Sequence, residues 1–408
     1  MLGVKTAALP ASLRRTNQRT VISLLLRLGC ASRADLAKAA GISQPTAGKI
    51  TAELLEQGIL QPAADRGHTS GMASGADESP RLGRPGQLLR LDAARARFVA
   101  IELGVTHTSV AALPVGVALE DEWTHSFPTP KSVDAWVREL KRLALKLPNA
   151  ELWGVLISVP GIVDENSDRV LFSPNLHWLE KTNLPELVRT VWDLPVVLVQ
   201  EIRALALGHL TAEPVGEDFF LVDFGSGVGG AIVVEGQLYA QPVPLSGEIG
   251  HTPVPGNQRT CGCGAVGCLE TLVSQGGLLQ SFVANGGGVA PTWKSLAARI
   301  ARTGLEPWFM ESLNSTAQVI AGALNVLGVH RVVLTGNLTE LPSAVIQHLE
   351  AEIRKGAMWA RFGEVVCQSA PHRRAAGLVA AGIDRLVLPD EEERNLRRLE
   401  LTGAPAGK

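Results

Sequence analysis

Residues 247–270 read GEIGHTPVPGNQRTCGCGAVGCLE, with Cys261, Cys263 and Cys268 inside eight positions and His251 ten positions upstream. Three thiolates and one imidazole form a closed tetrahedral donor set for Zn2+. The interspersed glycines permit the tight turns that bring such closely spaced sulfurs onto one ion. With all four positions supplied by protein, no coordination site remains for an activated water, so the expected zinc is structural. Five cysteines are few and odd in number for a disulfide framework, and their clustering favours metal; the alternative is a set of reduced thiols in a glycine-rich loop.

Around this motif lies a chain of 408 residues, 46% apolar and 19% charged, which suggests two or three domains at roughly 150 residues each. No uninterrupted apolar run approaches the ~20 residues of a membrane-spanning helix. The opening segment has no apolar core ahead of a small-residue cleavage site. A cytoplasmic protein without membrane insertion is the expectation. The net charge of −2 conceals an asymmetry: residues 1–92 carry 12 Lys+Arg against 7 Asp+Glu, and the remainder carries 26 against 33. A basic N-terminal segment on an acidic body points to a polyanionic partner for that segment.

Within the basic segment, Val21, Leu24, Leu25 and Leu28 follow the spacing of an amphipathic helix over 17–29 that ends at Gly29. A second helix follows, capped by Ser32, with Leu36, Ala37 and Ala40 inward, and breaks at Gly41. Ser43 caps a third, whose Ala47, Ile50 and Leu54 face in while Gln44, Thr46 and Lys49 face out. Helix, tight turn, helix is the pattern of a major-groove reader, although any three-helix bundle shares the stripes. The strand start at Ile59-Leu60 and the Gly/Ser/Arg-rich excursion before Leu88-Leu89-Arg90-Leu91 read as a long wing. Arg81 and Arg84, in Arg81-Leu82-Gly83-Arg84-Pro85, suit a narrow minor groove, where negative potential favours arginine.

From residue 97 the texture becomes α/β. FVAIELG, LWGVLISVPG, LPVVLVQ, FFLVDFGSGVGGAIVV and RVVLTGN read as strands; 131–147, 183–192 and 311–327 have helical spacing. The two strand-rich halves resemble one another loosely.

Glu248 to His251 followed by Cys261 to Glu270 resembles the mark of the ROK family (repressors, open reading frames, kinases). The resemblance extends through the helix-turn-helix, Gly83-Arg84-Pro85, Val159-Pro160-Gly161-Ile162-Val163-Asp164, Ser173-Pro174-Asn175-Leu176 and Gly225 to Gly230. It implies a winged helix-turn-helix at 1–92 and an α/β, two-lobed, actin-like ATPase body. The lobes are expected at 93–205 and at 206–390 with the zinc site, followed by a tail at 391–408. It further implies a sugar or sugar-derived effector between the lobes, held by Asn175, Gln200, Glu201, Glu248, His251 and Glu270, and a homodimer or higher oligomer.

Where family kinases carry Asp-x-Gly-Gly-Thr, this chain has Glu102-Leu103-Gly104-Val105-Thr106; one glycine of the phosphate loop is gone. Glu201 stands where the family's aspartate base belongs, and Arg203 replaces an asparagine. A carboxylate misplaced by about 1 Å can cost on the order of a hundredfold in rate. No catalytic residue and no ATP dependence are therefore expected. The chain reads as a repressor of carbohydrate metabolism that binds operator DNA. The alternatives are a sugar kinase with an appended DNA-binding unit and a zinc scaffold for protein partners.

Overall fold

The computed structural model describes residues 10–63, 87–116, 123–148, 151–212, 218–239, 245 and 247–388. At the N-terminus α1 (Pro10–Leu28) begins seven residues before the helix read from apolar spacing. Polar side chains hold the N-terminal half of this helix, Arg14 and Arg15 in the added turns and Gln18 and Arg19 just beyond them. Gln18 donates to Glu53, Arg14 pairs with the same carboxylate, and Arg15 and Arg19 both pair with Asp384. Val21, Leu24 and Leu25 are buried as expected, whereas Leu28 lies half-exposed at the helix end.

β1 (Ala31–Ser32) leads into α2 (Arg33–Ala39), where Ser32 and Asp35 form a reciprocal capping box. Gly41 turns the chain at φ +65°, and α3 (Gln44–Glu56) follows with Ser43 as N-cap. β2 (Leu60–Pro62) and β3 (Leu88–Leu91) complete a three-stranded antiparallel sheet in which β3 is central. Arg81 and Arg84 lie outside the described residues.

The first sheet of the body comprises β4 (Ala96–Leu103), β5 (His107–Pro114) and β6 (His125–Pro128), then β7 (Gly154–Val159) and β10 (Val196–Gln200). Between them come α4 (Val133–Ala144), the hairpin β8 (Ile162–Asp164) and β9 (Arg169–Phe172), and α5 (Leu184–Arg189); α6 (Glu201–Ala212) follows directly on β10. The second sheet takes β11 (Phe219–Phe224), β12 (Val228–Val234), β13 (Gln237–Leu238), β14 (Arg331–Gly336) and β15 (Val366–Ser369). Its helices are α7 (Glu270–Val273), α8 (Gln275–Ala284), α9 (Trp293–Thr303), α10 (Pro307–Leu327), α11 (Ala344–Gly356) and α12 (Arg374–Gly382), the last continuing into a π turn at Ile383–Val387.

The strand orders are β10-β7-β4-β5-β6 and β13-β12-β11-β14-β15. In both, the central strand is antiparallel to its hairpin neighbour and parallel to the strand on its other side. The loose likeness of the two halves is thus one five-stranded plan used twice. FFLVDFGSGVGGAIVV folds as two strands around Gly225–Gly227.

α6 crosses the lobe division expected at 205/206 and packs on strands of both sheets. It lies against α12 at backbone contact: a Cβ on Gly208 would overlap the Arg373 carbonyl, and one on Gly377 would overlap that of Ala204. One continuous apolar core joins Val21, Leu24, Leu25, Ile50 and Leu54 to Phe98, Ala100, Ala111, Leu378 and Val379.

Candidate functional site

The residues read from sequence as metal ligands meet in space. One donor atom from each of His251, Cys261, Cys263 and Cys268 lies within 4.8 Å of the other three. Bridges Pro253–Cys268 and Thr260–Val266 close the loop, and the Asn257 amide donates to the Cys268 carbonyl at 3.0 Å. The Sγ atoms of Cys263 and Cys268 stand 3.8 Å apart, and Cys261 Sγ is 3.6 Å from His251 Nδ1. For Zn–S near ~2.3 Å and Zn–N near ~2.0 Å, a tetrahedron has S–S edges of about 3.8 Å and S–N edges of about 3.5 Å. The group could hold a metal ion through Nδ1, which leaves Nε2 facing Glu248 at 3.7 Å.

Next to this cluster a cleft of about 670 Å³ opens between the two sheets; Asn175, Gln200, Glu201, Glu248, His251 and Glu270 all line it. The amide of Gln200, at the end of β10, donates to Glu248 at 3.2 Å. Glu270, two residues after the last cysteine, accepts the Val228 backbone N–H at 3.0 Å, tying α7 to β12. Burial pushes the Glu248 carboxyl above its ordinary range, with the His251 ring and the Gln200 amide acting in the opposite direction. Glu248 and Glu270 present carboxylate acceptors and Asn175 and Gln200 amides, the equipment for a ligand with several hydroxyls.

The opposite wall holds what the sequence reading missed. Arg374, 3% exposed at the first position of α12, forms ion pairs with Glu102 at the end of β4 and with Glu201, the latter at 2.8 Å. Burial and the nearby Asp223 carboxylate push Glu201 up to about 7, and His372 works against that rise. Asp223 itself accepts from the Thr335 hydroxyl and from His372 Nε2, each at 2.7 Å. Arg203, read as a lost asparagine, pairs with Glu165 at 2.9 Å, and the same Glu165 oxygen accepts the Gln200 N–H. The available signal was a run of three basic residues, His372-Arg373-Arg374, opening an alanine-rich helix. Cations at a helix N-terminus oppose its dipole and call for anionic partners.

On α3, Gln44 and Lys49 are exposed, and Thr46 is half-buried with its hydroxyl 2.8 Å from that of Ser43. No helix among the described residues is long and apolar enough to cross a membrane.

The doubled sheet plan and the cleft beside a Cys/His cluster are those of a two-lobed, actin-like sugar-kinase fold. Residues 98–383 match the ROK family model, and the chain belongs to that family. A xylose repressor of Caldicellulosiruptor bescii is 27% identical over 276 residues, a match spanning 66% of this chain and 66% of that protein. An N-acetylmannosamine kinase of Salmonella newport is 31% identical over 181 residues, 44% of this chain and 62% of the kinase. The crystal structure of a ROK family transcriptional regulator, a homologue of the E. coli MLC protein, superposes with a TM-score of 0.66 at 19% identity, covering 92% of this chain and 98% of that one.

Proposed function

We propose that this protein is a sugar-responsive transcriptional repressor whose kinase-like body senses a ligand without phosphorylating it. The observation that carries the reading is Arg374: the two carboxylates placed to serve a metal ion and a base, Glu102 and Glu201, are both engaged by one buried guanidinium. Phosphoryl transfer needs a free base and a carboxylate-held metal, whereas ligand recognition draws chiefly on Asn175, Gln200, Glu248, His251 and Glu270, which line the cleft away from Arg374's ion pairs. The similarity to a xylose repressor supports a pentose or related sugar as the effector class.

In this reading residues 1–92 form a winged helix-turn-helix, 93–205 and 206–390 the lobes, and 391–408 a tail. The three helices and the β1-β3-β2 sheet support the first of these. α3 enters the major groove with Gln44, Thr46 and Lys49, while Arg81 and Arg84 follow the minor groove. Asn175, Gln200, Glu201, Glu248, His251 and Glu270 hold the effector. His251, Cys261, Cys263 and Cys268 hold one structural zinc, which when bound fixes the loop carrying Glu270 and the His251 ring. The repressor acts in the cytoplasm as a homodimer or higher oligomer on a palindromic operator. Ligand closure of the cleft changes the spacing of the two DNA-binding units.

An operator selected from random duplexes, followed by sugar titrations with and without ATP, tests the reading. Xylose or a related sugar should alter operator affinity with ATP absent; sugar-dependent ATP turnover by the wild type would overturn it. Lys49→Ala should weaken operator binding by about 1–3 kcal/mol if it reads a base edge. Unchanged affinity in a gel-shift titration would remove α3 from the groove. Glu248→Ala should leave operator affinity intact and abolish the sugar response, since a hydroxyl-binding wall without its carboxylate leaves polar groups unpaired.

A further inference from the structure

Arg374 occupies a costly position. Its charge meets the positive end of α12, and its burial lowers its pKa to about 10. Among the described residues its Nε finds no hydrogen-bond partner. A buried ion pair is often no more stable than well-packed apolar side chains of the same size, so folding alone does not account for an arginine here. What the position supplies is a fixed positive charge between two carboxylates from different elements, β4 and α6, at the base of the interlobe cleft.

We infer that Arg374 is a built-in counter-cation that excludes a hydrated divalent metal ion, and with it a metal–nucleotide, so that Glu102 and Glu201 form a latent two-carboxylate metal site. The inference rests on the non-phosphorylating reading above. One guanidinium bridges the two carboxylates through its two terminal nitrogens, so both side chains flank one small volume that a cation and its water ligands can fill. Mg2+ and Mn2+ take one or two protein carboxylates and fill the rest of an octahedron with water, for which a cleft of about 670 Å³ leaves space. Asp223 faces Glu201 from β11 and adds a third negative charge, which His372 in part offsets. Arg374 offsets one negative charge of the Glu102–Glu201 pair; without it that charge stands uncompensated. A divalent ion and the guanidinium compete for the same oxygens.

The test uses the full-length, zinc-loaded protein and Mn2+ alone as probe, with free Mn2+ followed by electron paramagnetic resonance. Arg374→Met and the polar Arg374→Gln, each checked for native circular dichroism and zinc content, should gain one Mn2+ site at least ~10-fold tighter than any in the wild type, about 1.4 kcal/mol. Glu102→Gln in either background should remove that site. Arg374→Lys, which keeps the charge, should stay free of Mn2+. Equal Mn2+ binding by wild type and both neutral variants overturns the inference, as does a gained site that survives Glu102→Gln or appears in Arg374→Lys. Loss of native circular dichroism in both neutral variants overturns it too, because the guanidinium would then be serving the fold. Operator binding and sugar response bear on the repressor reading and are measured separately, so the two can fail independently.

Discussion

Cys261→Ser should purify with little bound zinc and unfold well below the wild type. A serine hydroxyl is a poor zinc ligand, and removal of one of four closed positions leaves three donors around an open site. Structural zinc contributes about 10–16 kcal/mol of apparent binding energy in small zinc domains, which is comparable to the ~5–15 kcal/mol that separates folded from unfolded protein. Even a loss of about 3 kcal/mol lowers Tm by about 6–12 °C for a unit of 150–250 residues. The damage should reach the cleft, since the loop bears His251 at one end and Glu270 at the other. Chelator treatment of the wild type should reproduce the variant's melting curve. A zinc-to-protein ratio and Tm equal to those of the untreated protein would remove Cys261 from the ligand set.

Gly377→Ala should destabilise the body by about 3 kcal/mol or more, at or beyond the upper end of ordinary overpacking. The added methyl overlaps the Ala204 carbonyl oxygen and approaches its carbon and the Gly208 nitrogen, both at 2.8 Å. All three are backbone atoms, so no side-chain rotation relieves the clash and α6 must separate from α12. Gly322→Ala on α10 is the control: nothing lies within 4 Å of its Cβ, and helix propensity alone makes it neutral to about 1 kcal/mol stabilising. Urea midpoints for the two variants should move in opposite directions, or Gly377 alone should move. A Gly377→Ala midpoint equal to the wild type's would mean that the helices tolerate separation.

Elements built on apolar periodicity were legible in the sequence: α2 and α3 with their serine caps, and β4, β7, β10 and β14 as short apolar runs. The Cys/His cluster was legible because its ligands are close in sequence. The first turns of α1 were not, since Arg14 and Arg15 secure them through partners 39 and 369 positions away. Strand β5 and the edge strands β6 and β15 carry mixed polar patterns that only pairing resolves. At the cleft, motif comparison drew attention to Glu102 and Glu201 as altered kinase positions, but not to the residue between them. Arg374 is 272 positions from Glu102 and 173 from Glu201, and such a triad exists only after the chain has closed.

The core shared by α1, α3, β4 and α12, with Asp384 gripping Arg15 and Arg19, bears on how such proteins exchange parts. A hybrid that grafts this N-terminal unit onto the body of a relative would set two arginines and the apolar side chains of Val21, Leu24 and Leu25 against a surface shaped for another sequence. Recombination between relatives therefore meets a compatibility barrier at this seam: α1 and the π turn of Asp384 must travel together, or a compensating carboxylate must arise on the recipient.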